Sequence, residues 1–102
     1  MYNVNTMIKN ELQVILDTIG GKSILGSLGC KIMLAEDTIS VVLSDIKTSK
    51  KANYIKIVWV DTTQVELTFY KAKAFKFNKL QQTIVPLTSL RKEISDFLKI
   101  DI

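Results

Sequence analysis

Residues 54–70, YIKIVWVDTTQVELTFY, alternate apolar and polar side chains on both sides of a short polar turn. That alternation decides the fold. Ile55, Ile57 and Trp59 share one side of the first run, and Val65, Leu67 and Phe69 share one side of the second. A period of two marks a half-buried strand, and Asp61-Thr62-Thr63 is short enough to make the pair an antiparallel hairpin. Tyr54 and Lys56 lie opposite the first apolar set, and Tyr70 lies opposite the second. If these outer faces coincide, the sheet shows two tyrosines and a lysine to solvent.

Upstream of the hairpin, residues 44–53 (SDIKTSKKAN) are polar and basic and read as a loop. Before them, CKIMLA (30–35) and TISVVL (38–43) read as two strands, with Glu36-Asp37 as the turn between them. Ile8, Leu12, Ile15 and Ile19 recur at helical spacing and predict a helix over about 6–19, capped by Asn5 or Thr6. Gly20 stands where the chain must turn left-handed to leave that helix, and a short connection through Gly26 and Gly29 follows.

Downstream, residues 71–85 lose the alternation. KAKAFKF could extend the sheet, but its apolar residues do not keep the preceding register, which predicts a bulge or break. Pro86 closes the extended segment. Leu90, Ile94, Phe97 and Leu98 form a second helical stripe with Thr88 or Ser89 as its cap. The fold class is α+β, of order α-β-β-β-β-α with a possible extra strand: an antiparallel sheet with the N- and C-terminal helices packed on one face. The expected core is Ile8, Leu12, Ile15, Ile19, Ile55, Ile57, Trp59, Val65, Leu67, Phe69, Leu90, Ile94, Phe97 and Leu98.

Gly21-Lys22-Ser23 has the ending of a phosphate-binding loop, whose first glycine would fall at residue 16. Residue 16 is leucine, and the segment before it is helical in pattern where the motif needs a strand. The glycines are therefore read as a helix stop.

The chain has 102 residues, 47% of them hydrophobic and 24% charged, which fits one small globular domain. The lone Cys30 allows no internal disulfide, and no apolar run approaches membrane-spanning length. A cytoplasmic protein without membrane contact is expected. Histidine is absent, which removes the commonest general base and metal ligand. Glu36, Asp37 and Asp61 are read as turn residues and Cys30 as a buried thiol. No catalytic residue, metal site or cofactor is expected.

Charge supplies the main lead. Residues 46–80 hold eight lysines against Asp61 and Glu66, a surplus of six, while the remainder is net acidic. Lys47, Lys50, Lys51, Lys56, Lys71, Lys73, Lys76 and Lys79, with Tyr54 and Tyr70, make a candidate nucleic-acid-binding set, and Phe69, Phe75 and Phe77 are interleaved with them. Lysines neutralise phosphates, and exposed rings stack on bases. Against this, Arg91 is the single arginine and lies in the last helix, whereas nucleic-acid readers favour arginine. A lysine surplus also keeps a small β-rich protein soluble and guards its edges.

ILDTIGGKSILGSLGCK (15–31) resembles the opening of a family of small bacteriophage and prophage proteins of unknown function. Its members begin with a helix ending in Leu-Gly-Gly and close the segment with Gly-Ala-Lys. Gly20 and Gly21 match the pair, Ile24 the following apolar position, and Gly29-Cys30-Lys31 the closing triplet. NYIKIVWVDTTQVELTFYK (53–71) is similar to the family's hairpin, and LTSLRKEISDFLKI (87–100) to its closing helix. The resemblance implies a mobile-element origin and a shared α+β fold, and brings no activity with it. Two functions follow as expectations. One is a non-catalytic interaction or oligomerisation module for a host or phage protein, or for a second copy of itself. The other is a nucleic-acid-binding accessory protein.

Overall fold

A computed structural model describes residues 10–100, with side chains described at all of these except 22–25. Helix α1 (Asn10–Ile19) and helix α2 (Gly21–Leu28) lead into a five-stranded antiparallel sheet. Its strands are β1 (Lys31–Ala35), β2 (Ser40–Ser44), β3 (Tyr54–Trp59), β4 (Gln64–Lys73) and β5 (Lys76–Pro86). They lie side by side in chain order. A 3₁₀ turn (Leu87–Ser89) then enters helix α3 (Leu90–Leu98).

The α+β architecture stands as read, with a fifth strand completing the sheet. The register sets its two faces. Leu43 pairs with Ile55, which pairs with Phe69, and Val41 pairs with Ile57, which pairs with Leu67. Val65 stands between Trp59 and Val85. Paired residues project to the same side, so these side chains form one continuous apolar face. The helices cover it. Leu12, Ile15 and Ile19 from α1, Leu28 from α2, and Leu90, Ile94 and Leu98 from α3 join the same buried cluster. Phe97 of α3 stacks on Phe69, with ring centroids 3.8 Å apart. Burying each such large side chain contributes about 1.5–3 kcal/mol.

Several expectations need correction. The segment after Gly20 is a helix and not a plain connection: Gly20 (φ 110°) and Gly21 (φ 58°) reverse the chain, and α2 starts at Gly21. Gly21-Lys22-Ser23 thus opens one helix immediately after another ends, still with no strand before it. Trp59 is half-buried at the edge of the core, as is Phe97. Ser89 occupies the α3 N-cap but makes no side-chain capping bond, because the preceding 3₁₀ turn already leads the backbone into the helix. Ile8 and the expected caps Asn5 and Thr6 lie outside the described residues.

The turns after β3 and β4 are built by a side chain and by strain, respectively. Asp61 Oδ1 accepts from the Thr63 amide at 2.8 Å and from its hydroxyl at 2.9 Å, closing the β3–β4 turn. The β4–β5 turn has no such help. Lys73 pairs with Lys76, leaving Ala74 (φ 49°) and Phe75 (φ 69°) as a two-residue loop with both residues left-handed. That geometry ordinarily calls for Asn-Gly.

Candidate functional site

β4 and β5 extend past the start of β3. β3 begins opposite Tyr70, and beyond that point residues 71–78 form an arm in which β4 and β5 pair only with each other. Asn53 fixes its root. The Asn53 amide donates from Nδ2 to the Ala72 carbonyl at 2.9 Å, and its Oδ1 accepts from the Ala72 N–H at 2.7 Å. The side chain thereby supplies one more rung to β4 after β3 has ended.

The expected irregularity is a bulge in β5. Phe69 pairs with Gln81 but Tyr70 pairs with Lys79, so Leu80 is the extra residue. Were Leu80 paired in regular register instead, Phe77 would stand opposite Lys73 on the helix-covered side. With the bulge Phe77 stands opposite Ala72, on the outer face. There it meets Tyr54 (centroids 4.8 Å) and Tyr70 (6.2 Å), and the two tyrosines lie 5.5 Å apart. All three contacts are edge-on. A shallow hollow of about 220 Å³ lies among these rings and Lys56.

The structure divides the candidate nucleic-acid set between two sides. Tyr54, Lys56, Tyr70 and Lys79 belong to the outer face by register. Lys71, Lys73 and Lys76 follow the phase of Phe69 and sit on the opposite side of the arm, around a second hollow of about 390 Å³. Lys47, Lys50 and Lys51 are exposed on the loop between β2 and β3. Three lysines of the set are engaged within the protein. Lys71 Nζ donates to the Lys50 carbonyl at 2.8 Å, and Lys51 Nζ lies 4.3 Å from the Phe97 ring centroid. Lys79 Nζ donates to Gln82 Oε1 at 2.8 Å. The tyrosines and most of the lysines therefore do not form one surface.

What the candidate set leaves out is apolar. Phe75, at the arm's tip, is fully exposed, and Phe77, Leu80 and Ile84 along β5 are each about half exposed. Phe75 also lines a hollow of about 310 Å³ that reaches from the arm to Asp45 and Tyr54. A signal was present: KAKAFKF places two phenylalanines in a stretch with no other large apolar residue to bury them.

Elsewhere the chemistry is sparse. Burial raises the Cys30 thiol pKa above its ordinary value, with a smaller opposing effect from a backbone hydrogen bond. That shift disfavours the reactive thiolate. The two bonds from Thr63 lower the Asp61 carboxyl below the usual range. Among the described residues no group of three or more His, Cys, Asp or Glu gathers as a metal site. No helix among them is long and apolar enough to cross a membrane. No family model, no curated protein and no solved structure matches the chain.

Proposed function

We propose that this protein is a non-catalytic interaction module that presents the β4–β5 arm to a protein partner. The observation that carries the reading is Phe75. A phenylalanine fully in solvent forgoes the burial that ordinarily keeps it, and here it also holds a left-handed backbone. Strain and exposed apolar surface at one point are what a recognition tip requires, because both are relieved or offset only when a partner covers it. The resemblance to small bacteriophage proteins directs the search to a phage or host protein.

The test is site-specific photo-crosslinking in cells producing the protein. A photoreactive residue at position 75 is expected to give one discrete protein adduct, and the same residue at Glu36, in the distant β1–β2 turn, none. No adduct from position 75, or the same adducts from both positions, would overturn the reading.

The nucleic-acid reading keeps one supporting observation: Lys71, Lys73 and Lys76 gather on one side of the arm. Its test is oligonucleotide anisotropy at two salt concentrations, since phosphate contacts weaken with a log–log slope of about −0.9 per neutralised phosphate on duplex DNA.

A further inference from the structure

The backbone of β4 alternates between two neighbours, and its bonds say which residue faces which. Ala72 gives both its N–H and its C=O to Asn53, and the Gln64 carbonyl accepts from Val60 and Asp61. Even-numbered β4 residues therefore face β3, and odd-numbered ones face β5. Their partners Gln81, Thr83 and Val85 turn inward, which the Leu87 N–H bond to the Thr63 carbonyl continues. Gln82 and Ile84 are left with N–H and C=O directed away from the sheet. On the arm side of the bulge the same holds for Phe77 and Lys79.

This edge is long and unevenly guarded. β5 spans 11 residues, and among the described residues no strand lies beyond it. Proteins blunt such edges with charge, proline or a bulge. Here those devices stand at the ends: Lys76 and Lys79 with the Leu80 bulge at one, Pro86 at the other. Gln81 to Val85 between them carries neither charge nor proline. Every residue with an outward backbone also shows its side chain on the uncovered outer face, so an incoming strand would meet Ile84, Gln82, Lys79 and Phe77 in turn.

We propose that β5 accepts an extended acidic segment of another protein as a sixth, antiparallel strand; this rests on the reading of the arm as an interaction surface. Charge selects the occupant. Between Glu66 and Glu93 the chain has no carboxylate, while Lys71, Lys73, Lys76, Lys79, Arg91 and Lys92 are all basic. A second copy would bring the same basic arm to the same edge, and like charges repel. An acidic segment with apolar residues opposite Ile84 and Phe77 and a carboxylate opposite Lys79 satisfies the backbone, the exposed apolar surface and the charge together.

The experiment uses a fluorescent synthetic peptide of roughly nine residues alternating Val and Glu, with a Val/Lys peptide as control. Two further Val/Glu peptides carry backbone N-methyl groups, one at the odd and one at the even positions, which blocks one hydrogen-bonding edge at a time. The expected result is binding of the Val/Glu peptide and not the control. One methylated peptide should bind like the parent, and the other should lose at least about tenfold, close to the worth of one hydrogen bond. Gln82→Pro should cause a similar loss, because that N–H serves no partner within the sheet. The methylated peptides leave the protein unaltered, so they decide the matter even if this variant folds poorly.

Equal loss or equal retention by the two methylated peptides would overturn strand addition. Self-association in sedimentation that disappears in Gln82→Pro would replace the acidic segment with a second copy. Salt-sensitive oligonucleotide binding with no peptide binding would replace it with nucleic acid. A discrete adduct at position 75 without peptide binding would overturn this inference while sparing the broader one.

Discussion

Two left-handed residues at the arm's tip set stability against exposure. A left-handed conformation costs about 1–2 kcal/mol at an ordinary residue, and neither Ala74 nor Phe75 belongs to the types that tolerate it. The double change Ala74→Asn and Phe75→Gly is therefore expected to stabilise the protein by about 1–2 kcal/mol in urea denaturation. It should also abolish the position-75 partner contact. A loss of stability would show that the turn is not strained. Asp61 makes a second test at this scale. Its lowered carboxyl pKa means that its stabilising effect is present above the ordinary carboxylate value near pH 4 and fades as pH falls through the lower folded value. Asp61→Asn should thus melt below the wild type at neutral pH, and the gap should narrow as pH falls through the lowered folded value. For Cys30 the sign is opposite in sense. A raised thiol pKa predicts slower alkylation near pH 8 than for a cysteine in an unstructured peptide.

The arm depends on two devices that are not strands themselves, the Asn53 side chain and the Leu80 bulge. Asn53→Ala leaves the Ala72 N–H and C=O without partners at a part-buried position and is expected to cost about 1–3 kcal/mol. Hydrogen exchange should show the loss first at residues 71–78, ahead of β3. Deleting Leu80 has a less obvious outcome. Lys79 already pairs with Tyr70 and Gln81 with Phe69, so removing the residue between them regularises the ladder and keeps Phe77 beside Tyr54. Nuclear Overhauser contacts between those rings should survive the deletion. Their disappearance would mean that the bulge bends the arm as well as setting its phase. The same devices explain how much of the site could be read in advance. The strands from 54 to 70 follow a strict period of two with both faces chemically distinct, so register and outer tyrosines were legible. α2 was not, because glycines at 21 and 26 dilute an eight-residue helix whose Ile24–Leu28 spacing was its single clear signal. The arm's faces were hidden because one inserted residue inverts the phase of everything before it.

Over the whole molecule, one core ties the sheet to helices from both ends of the described chain, and Phe97 is its seam. The ring stacks on Phe69 and carries the Lys51 ammonium on its exposed side. Phe97→Ala should cost about 3 kcal/mol in denaturant unfolding, toward the lower end for a large aromatic because part of the ring is already in water. The strand order has a kinetic consequence. Each strand pairs with its neighbour in sequence, so no rung of the sheet spans more than the 22 residues between Gln64 and Pro86, and the longest loops are closed by docking α1 on the sheet and on α3. Chains built this way fold quickly for their strand content. The sheet can zip from the Asp61 turn outward in both directions, with the terminal helices settling last. Throughout that sequence no strand among the described residues pairs with the outer edge of β5. Mutual repulsion among the lysines around it would then act earliest on newly made chains, holding neighbouring copies apart during the interval before the apolar face is roofed.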